Sequence, residues 1–238
     1  MQANTNSQLL CVHAAMAMAV LMGIALLLAG WVPPPPPAQS ALETAQMYSD
    51  GGNKIRFAAL LMMLGATMFW PFAVAISIQM KRIEGPVAQP LAGVQMACAT
   101  GTVMAIIIPS ALWLVCGFRP ERSPEIIQAL NDLSWMFFIG AVPPALIQVL
   151  AVGLCALYRP QAAKVFPRWY GFFCLWTATG FVGGETVGFF HTGPFAWNGI
   201  FAFWMAAVFF FGWILLTWWV VLRAIQQQAT EAQGTVNS

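Results

Sequence analysis

The sequence predicts an all-α polytopic membrane protein: one integral domain over residues 1–238, built as a six-transmembrane-helix bundle with a short interfacial helix in the second outer loop. Three observations carry this. Of the 238 residues, 60% are hydrophobic and only 8% charged, whereas a soluble domain carries about 25% charged residues. Six apolar stretches reach the roughly 20 residues that a helix needs to cross a hydrocarbon core about 30 Å thick. The few charges fall almost entirely between those stretches, and the net charge of +2 is gathered into no basic stripe. A soluble enzyme, a disordered tail and a nucleic-acid binder are excluded on these grounds.

The spans read as about 9–31, 57–80, 92–118, 135–158, 170–190 and 200–223. The first has the length of a secretion signal, and Ala38-Gln39-Ser40 resembles a cleavage site. A signal n-region needs basic residues, however, and Met1 to Gln8 has none, so a retained helix is expected. After it, Pro33 to Pro37 predict a short polyproline II spacer. Ala41 to Tyr48 predicts a short surface helix, and Asp50-Gly51-Gly52-Asn53 a turn. In the second outer loop, Ser123-Pro124-Glu125 reads as an N-cap, a first-turn proline and a first-turn acid. Ile126, Ile127, Leu130 and Leu133 follow at helical spacing. This is the interfacial helix, leading straight into the fourth span.

Lys and Arg in short loops set orientation. With the N-terminus inside, the inner loops hold Lys81, Arg82, Arg159, Lys164, Arg168 and Arg223, against Lys54, Arg56, Arg119 and Arg122 outside. Both termini are therefore expected in the cytoplasm, with a bacterial cytoplasmic membrane as the location. Trp31, Trp113, Trp135, Trp169, Trp197, Trp218 and Trp219 fall near predicted span ends, where amphipathic rings favour the membrane interfaces.

Helices in lipid pack through small residues that let backbones approach. Gly93, Ala97, Gly101 and Ala105 form such a glycine-zipper stripe on the third span, Gly180, Gly184 and Gly188 on the fifth, and Ala15, Ala19 and Gly23 on the first. A four-residue step turns an α-helix by only about 40°, so each set is expected on one buried face. Pro71, Pro109 and the pair Pro143-Pro144 interrupt three spans and predict kinks. The sixth span is aromatic around most of its circumference, from Phe201 to Trp219. One of its faces is expected to meet lipid, a quinone, a pigment or another subunit.

Glu185 is the one acid inside a predicted span, and intramembrane acids are costly and often functional. On a continuous helix it lies beside the glycine face, with Gln148 or an outer-loop arginine as its expected partner. His191 falls at the outer end of the fifth span and His13 near the inner end of the first. The chain's two histidines thus cannot clamp one haem. Cys11, Cys98, Cys155 and Cys174 are expected near the inner interface with His13, a weak metal or redox constellation; their plain reading is small apolar packing. No nucleotide loop, serine elbow or zinc-helix motif occurs.

Three function classes follow. The first is an accessory or structural subunit packed into a larger membrane complex, with lipid and other membrane subunits or itself as partners. The second is a small proton- or cation-coupled transporter or channel using Glu185. The third is an intramembrane redox or metal enzyme using the inner cysteines. Packing features outnumber chemical ones, which sets that order.

Overall fold

A computed structural model of the chain describes residues 5–119, 121–158, 162 and 164–236; Arg159, counted above for orientation, lies outside them. The described residues are 83% helix and include no strand. The elements are α1 (Thr5–Leu28), α2 (Ala41–Thr67), α3 (Phe69–Lys81), α4 (Ala88–Phe118), α5 (Pro124–Gly140), α6 (Pro143–Leu157), α7 (Arg168–Phe181), a 3₁₀ helix (Val182–Phe189), a π turn (Ile200–Trp204) and α8 (Met205–Val236). Five stretches are long and apolar enough to cross a membrane: Thr5–Leu28, Ala41–Lys81, Ala88–Phe118, Pro124–Leu157 and Ile200–Gln233. This is the build of an integral membrane protein.

Local chemistry explains where the helices start and stop. Gly30, at φ 70°, closes α1: its N–H donates to Leu27 O (3.1 Å) and the Trp31 N–H to Leu26 O (2.9 Å), which satisfies two orphan carbonyls. Ser40 and Glu43 then form a reciprocal capping box that starts α2 at Ala41, with the Ser40 N–H donating to Glu43 Oε2 at 2.8 Å. The surface helix expected from Ala41 is thus present. It bends within Asp50–Asn53, because Gly52 takes φ 41°, a conformation only glycine adopts readily.

The prolines interrupt the spans in two ways. Only Pro109 lies inside a continuous helix. Pro71 sits in the first turn of α3, after the break at Met68, and Pro143 and Pro144 open α6. A first-turn proline lacks an N–H that would have no helical partner anyway, so at these positions the expected interruption takes the form of a break between two helices. The fourth span is accordingly two helices joined through Ala141 and Val142. The helix expected after Ser123 is present but continuous as far as Gly140, and the Ser123 side chain makes no capping hydrogen bond. The fifth span is 14 α-helical residues continued by eight in the tighter 3₁₀ form.

α4 packs on α2, α3, α5 and α6, while α1 packs on α2, α3 and α8, and α7 on α6 and α8. At one end of the bundle, Gln79 Nε2 donates to Gln8 Oε1 (2.7 Å) and Gln228 Oε1 (2.9 Å). Arg82 adds bonds to Gln79 Oε1 (2.7 Å) and Ala224 O (3.0 Å) and an ion pair to Glu231 (2.9 Å). The start of α1 and the last turns of α8 therefore share this end with the loop after α3.

At the opposite end, four of the tryptophans expected at the membrane interface are buried. Trp31, Trp113, Trp135 and Trp197 are at most 2% exposed, packed on one another instead of lying in a lipid-facing belt. Ring centroids of the first three are 4.4–5.3 Å apart. Trp197 Nε1 donates to Pro35 O at 2.8 Å, which ties the proline segment onto this cluster.

Candidate functional site

Below the tryptophan cluster, the helices leave an apolar cavity of about 100 Å³. Met22 and Leu26 of α1, Ala105 and Ile106 of α4, Phe138 and Ile139 of α5, Ala145 of α6 and Phe181 of α7 form its inner walls. Phe203 of the π turn and Ala206, Ala207, Phe210 and Phe211 of α8 line it from the other side. Phe138 joins the cavity to the tryptophans, with its ring 5.4 Å from Trp113 and 6.0 Å from Trp135. Apolar cavities of about 150 Å³ accept a benzene ring, so this space suits a small ring or a short stretch of chain. Water gains little there.

Thr102 is the polar side chain in the wall, and it begins a buried hydrogen-bonded row. Its hydroxyl lies 3.1 Å from Cys98 O and 3.3 Å from Gln148 Oε1. Gln148 Nε2 donates to Gln95 Oε1 at 3.0 Å, and Gln95 Nε2 to Ser77 Oγ at 2.6 Å and Ala73 O at 3.1 Å. Ser77 in turn donates to Ala92 O at 2.9 Å. In hydrocarbon an unpaired amide is costly, so the row locks α3, α4 and α6 together. Neither Gln95 nor Ser77 was singled out by sequence; two amides at the buried faces of facing helices were the available signal.

Glu185 lies elsewhere. It is exposed on the 3₁₀ helix, and Gln148, its expected partner, is engaged with Gln95 and Thr102. The wheel that placed them together assumed α-helix throughout. A 3₁₀ helix turns about 120° per residue, which re-aims every side chain past Phe181. His191 is exposed in the loop that follows. His13 is exposed on α1, its Nδ1 accepting from Trp218 Nε1 at 3.3 Å.

The same change of pitch splits the glycine row. Gly180 abuts the Phe209 ring of α8, Gly184 lies against Ile139 O of α5, and Gly188 faces open space. On α4 the stripe also divides: Gly101 lies against Pro144 and Ala105 lines the cavity, whereas Gly93 and Ala97 are exposed. Close approaches at Gly153 and Gly171, where α6 meets α7, and at Gly65, where α2 meets α1, fall outside the stripes read from sequence. The cysteines are dispersed. Cys155 and Cys174 are buried, Cys11 and Cys98 half-buried, and no group of three His, Cys, Asp or Glu is placed to share a metal among the described residues.

No family model, curated protein or solved structure matches this chain.

Proposed function

We propose that the chain is an accessory subunit of the bacterial cytoplasmic membrane, with six spans and both termini in the cytoplasm, that packs into a larger assembly through α8. α7 and its 3₁₀ extension supply the sixth crossing, and the first turns of α5 lie along the outer interface. The observation that carries this reading is the openness of α8. Only 28% of its most apolar window is buried, against 39–50% for the other four stretches. Phe201 and Trp204 of the π turn that precedes it and Val208 and Leu215 of α8 itself are exposed, while Phe210 and Phe211 of α8 line the cavity. Aromatic surfaces of this kind supply large contact area at low entropic cost.

The cavity beside α8 supports a second element of the reading: an apolar molecule, a quinone, a pigment ring or a lipid chain, held at the junction with the partner. Thr102 is the one polar side chain beside it, with its hydroxyl already directed to Cys98 O and Gln148 Oε1. The transporter reading is less well supported, since Glu185 is joined neither to the amide row nor to the cavity. The cysteine reading lacks a shared site.

The test is isolation of the tagged chain at native expression level in mild detergent. A particle heavier than the 25.9 kDa monomer, holding a second polypeptide or copy in fixed ratio, is expected. Val208→Gln should weaken it without loss of helix. A monomer that carries a proton or cation flux alone would overturn the reading.

A further inference from the structure

A second concavity lies on the outside of the bundle, away from α8. On the outer side of α3 and α4 lies a groove of about 520 Å³, floored by Ala92, Gly93, Met96 and Ala97 and flanked by Val74 and Ile78. Gly93 and Ala97 are exposed there, and a Cβ added at Gly93 would meet nothing within 4 Å. The rest of the same small-residue row is occupied: Gly101 abuts Pro144 and Ala105 lines the inner cavity. The free run from Gly93 to Ala97 covers about 6 Å of helix, little more than one turn.

The polar groups of the groove divide sharply. Ser77 accepts from Gln95 and donates to Ala92 O. Thr100 accepts from Trp70 Nε1 at 3.4 Å and lies 3.4 Å from Met96 O. Both hydroxyls are thus spoken for within the protein. Lys81 is different: it closes the groove at the end of α3, is exposed, and makes no ion pair among the described residues. Its neighbour Arg82 is committed to Gln79, Ala224 O and Glu231, and Glu84 is exposed in the loop beyond.

We infer that this groove binds one anionic phospholipid, its phosphate on the Lys81 ammonium and one acyl chain along Gly93 and Ala97. From Lys81 to Val74 and from Ala92 to Thr100 the walls run about 10–12 Å at 1.5 Å per residue. That is most of the depth of one leaflet, half of a core about 30 Å thick. A chain with one charged end and an apolar body matches a wall whose one unsatisfied polar group stands at one end. A helix of a second copy fits less well, because it needs a longer small-residue run than the one left open.

The experiment is native mass spectrometry of the full chain released from nanodiscs of equal phosphatidylglycerol and phosphatidylcholine. One retained phosphatidylglycerol is expected, favoured about fivefold over phosphatidylcholine, the preference one lysine near an anionic headgroup supplies. Lys81→Gln should bring the two lipids to parity. Gly93→Leu, which fills open space and leaves the fold intact by circular dichroism, should abolish retention of both. Equal retention of the two lipids by the unaltered chain, or an unchanged preference in Lys81→Gln, overturns the proposal. So does a dimer that Gly93→Leu dissociates, which would assign the groove to a second copy.

Discussion

Gln148 Nε2 on α6 donates to Gln95 Oε1 on α4 at 3.0 Å, with both side chains at most 1% exposed. Each amide is the other's replacement for water. Replacing either by Leu strands its partner, at about 1–3 kcal/mol, whereas replacing both removes the unmet demand. The double variant should therefore lose less stability than the two single variants summed, with a coupling of about 0.6–1.7 kcal/mol, the range measured for such bonds between membrane helices. Unfolding in mixed micelles measures the cycle. Strict additivity would mean that the two amides are satisfied independently.

Gly101 and Gly184 should behave unlike Gly188. A Cβ at Gly101 would stand 2.8 Å from Pro144 Cβ, and one at Gly184 would stand 2.6 Å from Ile139 O. Both contacts are closer than packed atoms allow, and the second is to backbone that cannot swing aside. Leu at either position should cost about 1–3 kcal/mol or more by overpacking and lower the yield of folded protein. Leu at Gly188, which faces open space, should be tolerated. Size-exclusion profiles and thermal midpoints of the three variants separate these outcomes.

The contrast among these glycines marks how far sequence reasoning reaches. Period and length located the five stretches that are long and apolar enough to cross a membrane, because a 20-residue apolar run has few other solutions in water. Side-chain direction was legible where the α-helical pitch persists and only in part beyond it. Gly101 and Gly184 lie against other helices as their stripes predict, whereas past Phe181 the tightening to 3₁₀ leaves Gly188 facing open space and Glu185 exposed away from Gln148. Nothing local announces that tightening in Val182-Gly183-Gly184-Glu185. Trp31, Trp113 and Trp135 are near span ends both in lipid-facing belts and in a buried plug, so position alone could not separate the two. The cavity was illegible because five segments distant in sequence build it.

Arg82 anchors the end of the bundle that holds the start of α1 and the last turns of α8. Its guanidinium donates to Gln79, Ala224 O and Glu231, and its side chain is 21% exposed, against 57% for Glu231. Hydrogen bonds to a charged donor contribute about 1.5–3 kcal/mol where they are shielded, while an exposed ion pair contributes about 0–1. Arg82→Ala should therefore destabilise the fold and expose the end of α8 to protease, and Glu231→Gln should do so by less than about 1 kcal/mol. An equal loss from both would make the ion pair the dominant contact.

Cysteine labelling in a background free of native cysteines checks the orientation. Ala38 and Glu84 are both exposed and belong to loops at opposite ends. A thiol at Ala38 should react with an impermeant reagent on intact cells, and one at Glu84 only after permeabilisation. The reverse pattern would invert the topology and place Lys81 in the outer leaflet.

Glu185 separates the accessory reading from the transporter reading. The side chain is exposed on the 3₁₀ helix, so its carboxylate can reach the interface without a partner inside the bundle. Glu185→Gln removes only the capacity to ionise and keeps the size of the side chain. If Glu185 is peripheral, the substitution should shift stability by no more than about 0.5 kcal/mol, as surface changes do, and leave any assembly intact. A relay residue behaves otherwise: the Gln variant would fold equally well yet lose a proton or cation flux measured in liposomes, and Glu185→Asp would retain part of it. The amide row supplies a control in the same assay, because Gln148→Leu should lower stability with no specific effect on flux. A flux present in the native chain and abolished in Glu185→Gln at unchanged thermal midpoint would establish coupling through this carboxylate.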